Sequence, residues 1–203
     1  MRVSAAMFMP LLFAACALGT REPIPLRGDP PVSILILPIE DGTEQPEVAR
    51  GLLATVEKAL VRRGYYVIPI DVGLRLLSAM ELSVDHPPNA ARLAEIAEAT
   101  GVGGFLRLDV KRWDAVYAPR LLRLRHHLVY RIYEAGSSRV IWDRVVKGNW
   151  IWDPEFAFID HEPFLYASPG RYGDEPSPYR DTIDIGRVMH RSALARLPVG
   201  SAH

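Results

Sequence analysis

The residues best suited to acid–base or metal chemistry are the histidines and one short acidic cluster. The six histidines are His86, His126, His127, His161, His190 and His203. None stands in an H-E-x-x-H pair or a comparable ligand spacing, so no metal site is predicted. Asp160 and Glu162 flank His161, and such carboxylates serve glycoside hydrolysis when they face each other about 5–9 Å apart. No G-x-S-x-G nucleophile elbow accompanies them, and no cofactor is expected.

A run of aromatic residues after position 149 is the second feature that could serve a function. It contains Trp150, Trp152, Phe156 and Phe158, with Pro154 among them. Tryptophan is enriched where protein interfaces derive most of their binding energy, and proline lowers the entropy that a loop loses on binding. These four aromatic residues are the predicted partner-binding site. Two alternatives remain open, namely a lid and a loop that packs its aromatic side chains onto the sheet.

The charge balance excludes a dedicated nucleic-acid binder. The chain has 203 residues, 49% of them hydrophobic, and its 24 Lys and Arg equal its 24 Asp and Glu. That composition is typical of a globular protein, and a net charge of zero is unlike that of a protein which binds nucleic acid. One basic stripe alternates along a strand. It consists of Arg120, Arg123, Arg125, His127 and Arg131. We favour a solvated sheet face balanced by carboxylates on neighbouring strands over contact with anionic polymer or lipid headgroups.

Cys16 is the only cysteine of the chain, so an internal disulfide is excluded. It follows Arg2, the only charged side chain in the first twenty residues, and an apolar run, Val3 to Phe13, that is too short to span a bilayer. The stretch Phe13-Ala14-Ala15-Cys16 resembles the lipobox of bacterial lipoprotein precursors. The resemblance implies cleavage before Cys16 and attachment of lipid to its thiol. The alternative is an ordinary signal peptide in which the cysteine is incidental.

Three segments are predicted along the chain. Residues 1–15 form the lipoprotein signal peptide, and residues 16–31 form a flexible tether, because positions 17–31 hold four prolines and two glycines. Residues 32–200 form a single α/β domain with a long aromatic loop at 151–179. The residue after the cysteine is Ala17, not Asp, which by resemblance to sorted lipoproteins implies the outer membrane, with the domain facing the periplasm.

Hydrophobic periodicity predicts how the domain begins. Val32–Ile39 is a continuous apolar run, typical of a strand buried on both faces. Apolar residues recur every four positions from Val48 to Leu60 and predict an amphipathic helix, with Thr43 as its N-cap. Tyr65–Ile70 is the next predicted strand. A strand–helix–strand order of this kind favours a right-handed parallel crossover.

The rest of the chain has a different pattern. Asp71 and Asn89 are each predicted to cap a further helix. Alternation then predicts a half-exposed strand over residues 106–110 and a longer strand over 122–132, joined to a return strand by a hairpin turn. A last helix is predicted over 183–197. The predicted fold is therefore a mixed β-sheet with flanking helices, parallel at its start and antiparallel later.

Several stretches resemble one bacterial family in their order and spacing. They are SILILPIEDGT, RRGYYVIPIDV, IAEATGVGGFLRLDVKRWDAVY, YRIYEAGSSRVIWD and the final ALARLPVG. They are similar to a lipoprotein family of unknown function typified by a genome-derived neisserial antigen, over residues 32–150 and the last helix. The resemblance implies a fold like the N-terminal domain of TolB. It also implies work beside other outer-membrane lipoproteins, including CsgG-like ones, and no known catalytic residues.

The sequence therefore predicts a lipid-anchored periplasmic lipoprotein that is a non-enzymatic binding or assembly module of the cell envelope. Its predicted contacts are the membrane, through lipid at Cys16, and other envelope lipoproteins, with no nucleic acid among its partners. The alternative hypothesis is a periplasmic hydrolase acting on cell-wall or polysaccharide substrate through acids such as Asp160 and Glu162. A deep polar pocket near the aromatic loop would favour the hydrolase, and an exposed aromatic surface would favour the binding module.

Overall fold

The computed structural model describes residues 22–43, 45–80, 89–118, 121–137, 139–152, 159–160 and 181–200. The elements in chain order are β1 (Ser33–Ile36), β2 (Glu40–Asp41), α1 (Pro46–Val61), β3 (Tyr66–Val67), α2 (Ile70–Ala79), α3 (Ala90–Thr100), β4 (Gly104–Ala118), β5 (Leu121–Glu134), β6 (Val140–Trp152), β7 (Ile159–Asp160) and α4 (Thr182–Leu194). Among these residues, no helix has both the length and the apolar character needed to cross a membrane.

The seven strands form one mixed sheet in the order β3-β1-β4-β5-β6-β7, with β2 also pairing with β4. β1 runs parallel to both of its neighbours, with Ile34 opposite Val67 and Leu35 opposite Phe105. From β4 to β7 every pairing is antiparallel. The predicted mixed α/β sheet, with a parallel start and a later antiparallel hairpin, is confirmed, and so is the interior position of β1.

Helices cover both faces of β1, which explains why its sequence lacks polar alternation. Ile34 and Ile36 pack on the side of α1 and α4, in one hydrophobic cluster. Leu35 and Leu37 pack on the side of α2 and α3, in a second cluster. Successive side chains of a strand point to opposite faces, so the residues from Ile34 to Leu37 are buried alternately by the two helical layers.

Helices α1 and α4 run parallel and approach closely through two glycines. A Cβ atom on Gly51 would lie 3.0 Å from the side chain of Thr182, and one on Gly186 would lie 2.7 Å from Oγ1 of Thr55. The second contact lies four residues after the first on each helix, which shows that the two helices run in the same direction. The Thr55 hydroxyl is itself held in place, since it donates to carbonyl oxygens one turn earlier in α1.

We expect Gly186→Ala to destabilise the domain by about 1–3 kcal/mol, because the added methyl overpacks this contact. That loss exceeds the gain of about 1 kcal/mol that alanine normally brings to a helix. Adding Thr55→Ala should recover part of the loss, since the two positions are in contact. Urea denaturation measures both effects. Gly136→Ala is the matched control, because a Cβ there meets nothing within 4 Å. A variant at 186 as stable as the parent would contradict the close approach.

Two of the three predicted helix caps are wrong, and each has a local reason. Thr43 does not cap α1, because its N–H donates to Oδ1 of Asp41 at 2.8 Å in the preceding turn and the helix begins after Gln45. Asp71 lies inside the first turn of α2, which begins one residue earlier. The Asn89 cap is confirmed, since its side chain accepts the N–H of Arg92.

The second half of the predicted tether is packed against the domain, which corrects the expectation of a flexible segment there. We name residues 22–31 the N-terminal strap. Its Ile24 N–H donates to the carbonyl of Arg196 at 2.7 Å, and its Arg27 N–H donates to the carbonyl of Ile141 at 2.8 Å. Ile24 and Leu26 also pack on the main hydrophobic cluster. These hydrogen bonds and the packing of Ile24 and Leu26, which alternate with prolines, hold this proline-rich segment in place. Residues 16–21 lie outside the described part.

The expectation of a half-exposed strand over residues 106–110 is also wrong. Leu106, Leu108 and Val110 are buried as predicted, but Asp109 is only 1% exposed. The pairing with β5 then shifts between Val110 and Arg112. A β-bulge adds one residue to one strand, so the alternation of inward and outward side chains along β4 shifts by one position after the irregularity. Trp113 therefore points inward and is buried.

Candidate functional surfaces

The predicted partner-binding residues fall at and beyond the end of β6. The backbone of Trp150 pairs with Leu124 and with Ile159, and that of Trp152 pairs with Leu122. Phe156 and Phe158 lie outside the described residues, as does Cys16. Most of the 151–179 loop is also outside them, but β7 shows that one part returns as a strand beside β6.

The acidic cluster of the hydrolase alternative is not assembled into a site within the described residues. The backbone of Asp160 pairs with Asn149 in the sheet, and Glu162 lies outside the described part. Across the ranges that the structure describes, no three His, Cys, Asp or Glu side chains come together in a way that would hold a metal ion.

Strands β4, β5 and β6 form a long antiparallel wing with one solvent-exposed face. We name this the outer face of the wing. Val116 is 56% exposed on β4 and Val145 is 51% exposed on β6. On β5, Arg123 and Arg125 are exposed opposite Val116 and Asp114, whereas Val145 lies opposite Val129. Among the described residues neither arginine forms an ion pair. The face therefore combines uncovered apolar surface with free positive charge.

The basic stripe of β5 divides into two parts with different roles. Arg131 is paired, since its Nη1 lies 2.6 Å from Oδ2 of Asp109 on β4. Balance by a carboxylate on a neighbouring strand is thus confirmed for Arg131. Arg123 and Arg125 are not balanced in this way, and Arg120 lies outside the described residues.

Asp109 is the centre of a charge network that joins three strands. Its Oδ1 accepts from Nε of Arg107 at 2.6 Å, and its Oδ2 accepts from Arg131. Arg107 also binds Glu40 on β2, and Lys111 lies 3.4 Å from the same glutamate. A carboxylate taken out of water needs such partners, so the network ties β2, β4 and β5 together and is structural.

His190 is fully buried in a hydrogen-bonded chain that joins α4 to β5 and α1. Its Nε2–H donates to the carbonyl of Leu52, and its Nδ1 accepts from the Tyr130 hydroxyl, each at 2.9 Å. This requires a neutral imidazole with its proton on Nε2. Burial lowers the pKa of His190 to about 4. A buried, fully bonded imidazole cannot exchange protons with a substrate, so this group stabilises the fold and does not catalyse.

We expect the free energy of unfolding to fall as the pH drops from about 6.5 to about 4. Burial lowers the pKa of both His190 and His126 to about 4, so between these pH values the unfolded chain binds more protons. Stability is therefore fully present above pH 6.5 and is lost toward pH 4. One unit of pKa shift corresponds to about 1.4 kcal/mol. Urea titrations across this range measure the slope. His190→Gln combined with His126→Gln should flatten it, and an unchanged slope in that double variant would contradict the assignment.

A cleft between α1 and α4 gathers four cationic side chains. We name it the cationic cleft. It has a volume of about 50 Å³ and is lined by Thr55, Lys58, Ala59, Arg62, Arg187 and Arg191. Thr55 and Ala59 are buried, whereas the four basic residues are exposed around them. Arg187 pairs with Asp184 at 3.0 Å. The other three cations form no ion pair with any residue that the structure describes.

The electrostatics of the two helices accounts for this concentration of charge. Because α1 and α4 run parallel, their negative C-terminal ends lie side by side, where cations are favoured. The cleft is not predictable from the sequence alone. Lys58 and Arg62 are four residues apart, as are Arg187 and Arg191, and this spacing places each pair on one helix face. Sequence spacing does not show that the two faces meet, since the pairs are separated by more than a hundred positions.

Comparisons with known proteins concern the fold. No family model matches the chain, and no curated protein matches it. Lipoprotein GNA1162 from Neisseria meningitidis matches with 20% identity and a TM-score of 0.48, over 59% of this chain and 83% of that one. The PelC dodecamer from Paraburkholderia phytofirmans matches with 10% identity and a TM-score of 0.49, over 85% and 95%. The LpoB C-terminal domain from Escherichia coli matches with 15% identity and a TM-score of 0.44, over 59% and 84%. Likenesses at this level assign no function to the chain.

Proposed function

We propose that this protein is a lipid-anchored, non-enzymatic module of the bacterial cell envelope that binds other envelope proteins. The lipid is attached at Cys16, and the domain faces the periplasm from the outer membrane. Its expected partners are other outer-membrane lipoproteins, including CsgG-like ones. The predicted contact residues are Trp150, Trp152, Phe156 and Phe158, together with the outer face of the wing.

The observation that carries this proposal is the outer face of the wing. Val116 on β4 and Val145 on β6 are exposed apolar side chains, and Arg123, opposite Val116, and Arg125, opposite Asp114, form no ion pair among the described residues. Protein interfaces are enriched in arginine, and here Arg123 stands beside the exposed apolar side chain of Val116. The proposed aromatic residues begin at the end of β6, where the backbone of Trp152 pairs with Leu122, next to Arg123 on β5. Arg123 lies opposite Val116, so these residues belong to one end of the wing, and Val145 lies farther along β6, opposite Val129.

The anchoring part of the proposal is tested by Cys16→Ser. We expect this variant to lose incorporation of labelled palmitate and to move from the membrane fraction to the soluble periplasmic fraction. The reason is that the thiol is the proposed acylation site and several acyl chains are needed for stable anchoring. Fractionation followed by immunoblotting measures the shift. Retention of the variant in membranes at the level of the parent would show that the anchor lies elsewhere.

The binding part is tested by site-specific photo-crosslinking in cells. A crosslinking residue at position 116 or 145 should form an adduct with another envelope protein. The same residue at position 72, which is exposed on α2, is the matched control and should form none. Trp152→Ala with Phe156→Ala should reduce the adducts while leaving cooperative unfolding intact. Equal crosslinking at 72, or an activity of the purified protein on envelope polymers that Asp160→Asn abolishes, would overturn the proposal.

A further inference from the structure

The described chain begins beside the C-terminal end of α4. The carbonyl of Glu22 accepts from Nε of Arg196 at 3.3 Å, and the Ile24 N–H donates to the carbonyl of Arg196. The strap then runs along the sheet toward Ile141 and the beginning of β1. The first described residue is thus held by the segment that immediately follows α4.

The cationic cleft lies at the same end of the domain. Arg62 is the C-cap of α1, and Arg191 is in the last turn of α4. Arg63, next to Arg62, donates to the carbonyl of Leu197, just after Arg196. The C-terminal ends of both helices and the start of the strap therefore form one surface. The cleft is much smaller than the several hundred Å³ of a pocket that encloses an organic ligand, so it suits one ionic group of a larger body outside it.

The length of chain ahead of the strap limits how far this surface can lie from an anchor at Cys16. Six residue steps separate Cys16 from Glu22, and a fully extended chain spans at most about 3.3–3.6 Å per residue. The start of the strap is therefore within about 20 Å of the anchored sulfur. That reach is too short for the domain to turn its far end toward the membrane.

We propose that the cationic cleft faces the membrane and binds the phosphate of an anionic phospholipid headgroup. This inference rests on the proposed anchoring at Cys16. Lys58, Arg62 and Arg191 supply charge that no described carboxylate neutralises, and anionic lipid attracts basic side chains held near its surface. Among the described acids, Asp184 pairs with the cleft residue Arg187, and Asp143 and Glu134 are paired with Arg27 and Arg139. Glu22 and Asp29 belong to the strap.

The charge requirement is tested on the full chain carrying Cys16→Ser, which removes the acylated thiol. It is mixed with vesicles of phosphatidylglycerol and phosphatidylcholine, or of phosphatidylcholine alone, and sedimented. Arg62→Glu with Arg191→Glu should weaken binding to the anionic vesicles by about tenfold or more, since each basic residue contributes to attraction by the surface. Arg123→Glu with Arg125→Glu changes the net charge equally at the wing and should leave that binding within about twofold. Equal losses in both pairs would overturn the proposal.

Orientation is tested on the lipidated chain reconstituted in the same anionic vesicles. A fluorophore on Ala195→Cys, beside the cleft, should be quenched by a headgroup-linked quencher, whereas one on Val116→Cys should not. Equal quenching at both positions, or quenching at 116 alone, would overturn the proposal. Binding of inorganic phosphate distinguishes free phosphate from a phospholipid headgroup as the ligand. If phosphate binds the cleft and the vesicles do not, the cleft is not a lipid site. Fractionation of the Cys16→Ser chain reports the anchor separately, so failure of the anchor and failure of the cleft give different results.

Discussion

Leu35→Asp should unfold the domain under conditions in which the parent is stable. Leu35 has no exposed surface and packs in the cluster shared by β1, α2 and α3. Its Cδ1 would lie 2.7 Å from a Cβ on Gly73 of α2, so the space around it is already full. Removing a buried leucine side chain costs about 2–5 kcal/mol, and an unpaired carboxylate in the same place adds several more. The sum approaches the whole stability of an ordinary domain, which is about 5–15 kcal/mol.

Val32→Asp is the matched control for this substitution. It introduces the same side chain three residues earlier in the same apolar run, but Val32 is 65% exposed. We expect its free energy of unfolding to stay within about 0.5 kcal/mol of the parent. Circular dichroism and urea denaturation compare the two variants. A cooperatively folded Leu35→Asp protein would mean that β1 is not enclosed by helices on this face.

Asp109→Asn should cost about 3 kcal/mol or more, because it removes the carboxylate that joins Arg107 to Arg131 in the charge network. The Asp109 side chain is 2% exposed and that of Arg107 is 17% exposed, so the Arg107 guanidinium would keep its charge with little water to compensate and only Glu40 as a partner. The Arg131 side chain is 35% exposed, so water compensates more of its loss. Removing one partner of a buried ion pair typically destabilises a protein by 3–5 kcal/mol. Urea denaturation at neutral pH measures the loss.

Asp114→Asn provides the control on the same strand. Asp114 pairs with Arg112 at 2.6 Å, but both side chains are about half exposed, and pairs of that kind contribute about 0–1 kcal/mol. We expect a difference of at least about 2 kcal/mol between the two variants. Equal, small losses would show that the charge network around Asp109 is solvated and adds little to the stability of the sheet.

The cationic cleft and the aromatic end of the wing lie at opposite ends of the molecule. β6 runs from Val140, beside the strap, to Trp152. At about 3.3 Å per residue, its 13 residues span about 40 Å. A domain bound to lipid by the cationic cleft would hold the end of the wing away from the membrane, where a partner protein can approach it. The two proposals are therefore compatible, and each has its own test.

Features that depend on a few neighbouring residues could be predicted from sequence. The apolar run of β1, the four-residue repeat of α1 and the cap at Asn89 each require only local periodicity or one hydrogen bond across three residues. The wrong caps at Thr43 and Asp71 also have local causes. Thr43 is bound by Asp41 in the preceding turn, and α2 begins one residue before Asp71. Local sequence predicts that an element exists better than it predicts where the element begins.

The strap, the buried Asp109 and the cationic cleft could not be predicted in this way, because each depends on contacts between distant parts of the chain. A proline-rich sequence predicts a flexible linker, but the backbone carbonyls of Arg196 and Ile141, far away in the chain, bind the strap. Sequence alternation alone predicts that Asp109 is exposed, but in the structure Arg107 and Arg131 enclose its carboxylate. Local periodicity was enough to predict the four helices and strands β1, β3, β4, β5 and β6, but not the two-residue strands β2 and β7. Only the packing of α1 against α4 placed two ordinary i,i+4 basic pairs around one cleft, because the contact was made between residues more than a hundred positions apart.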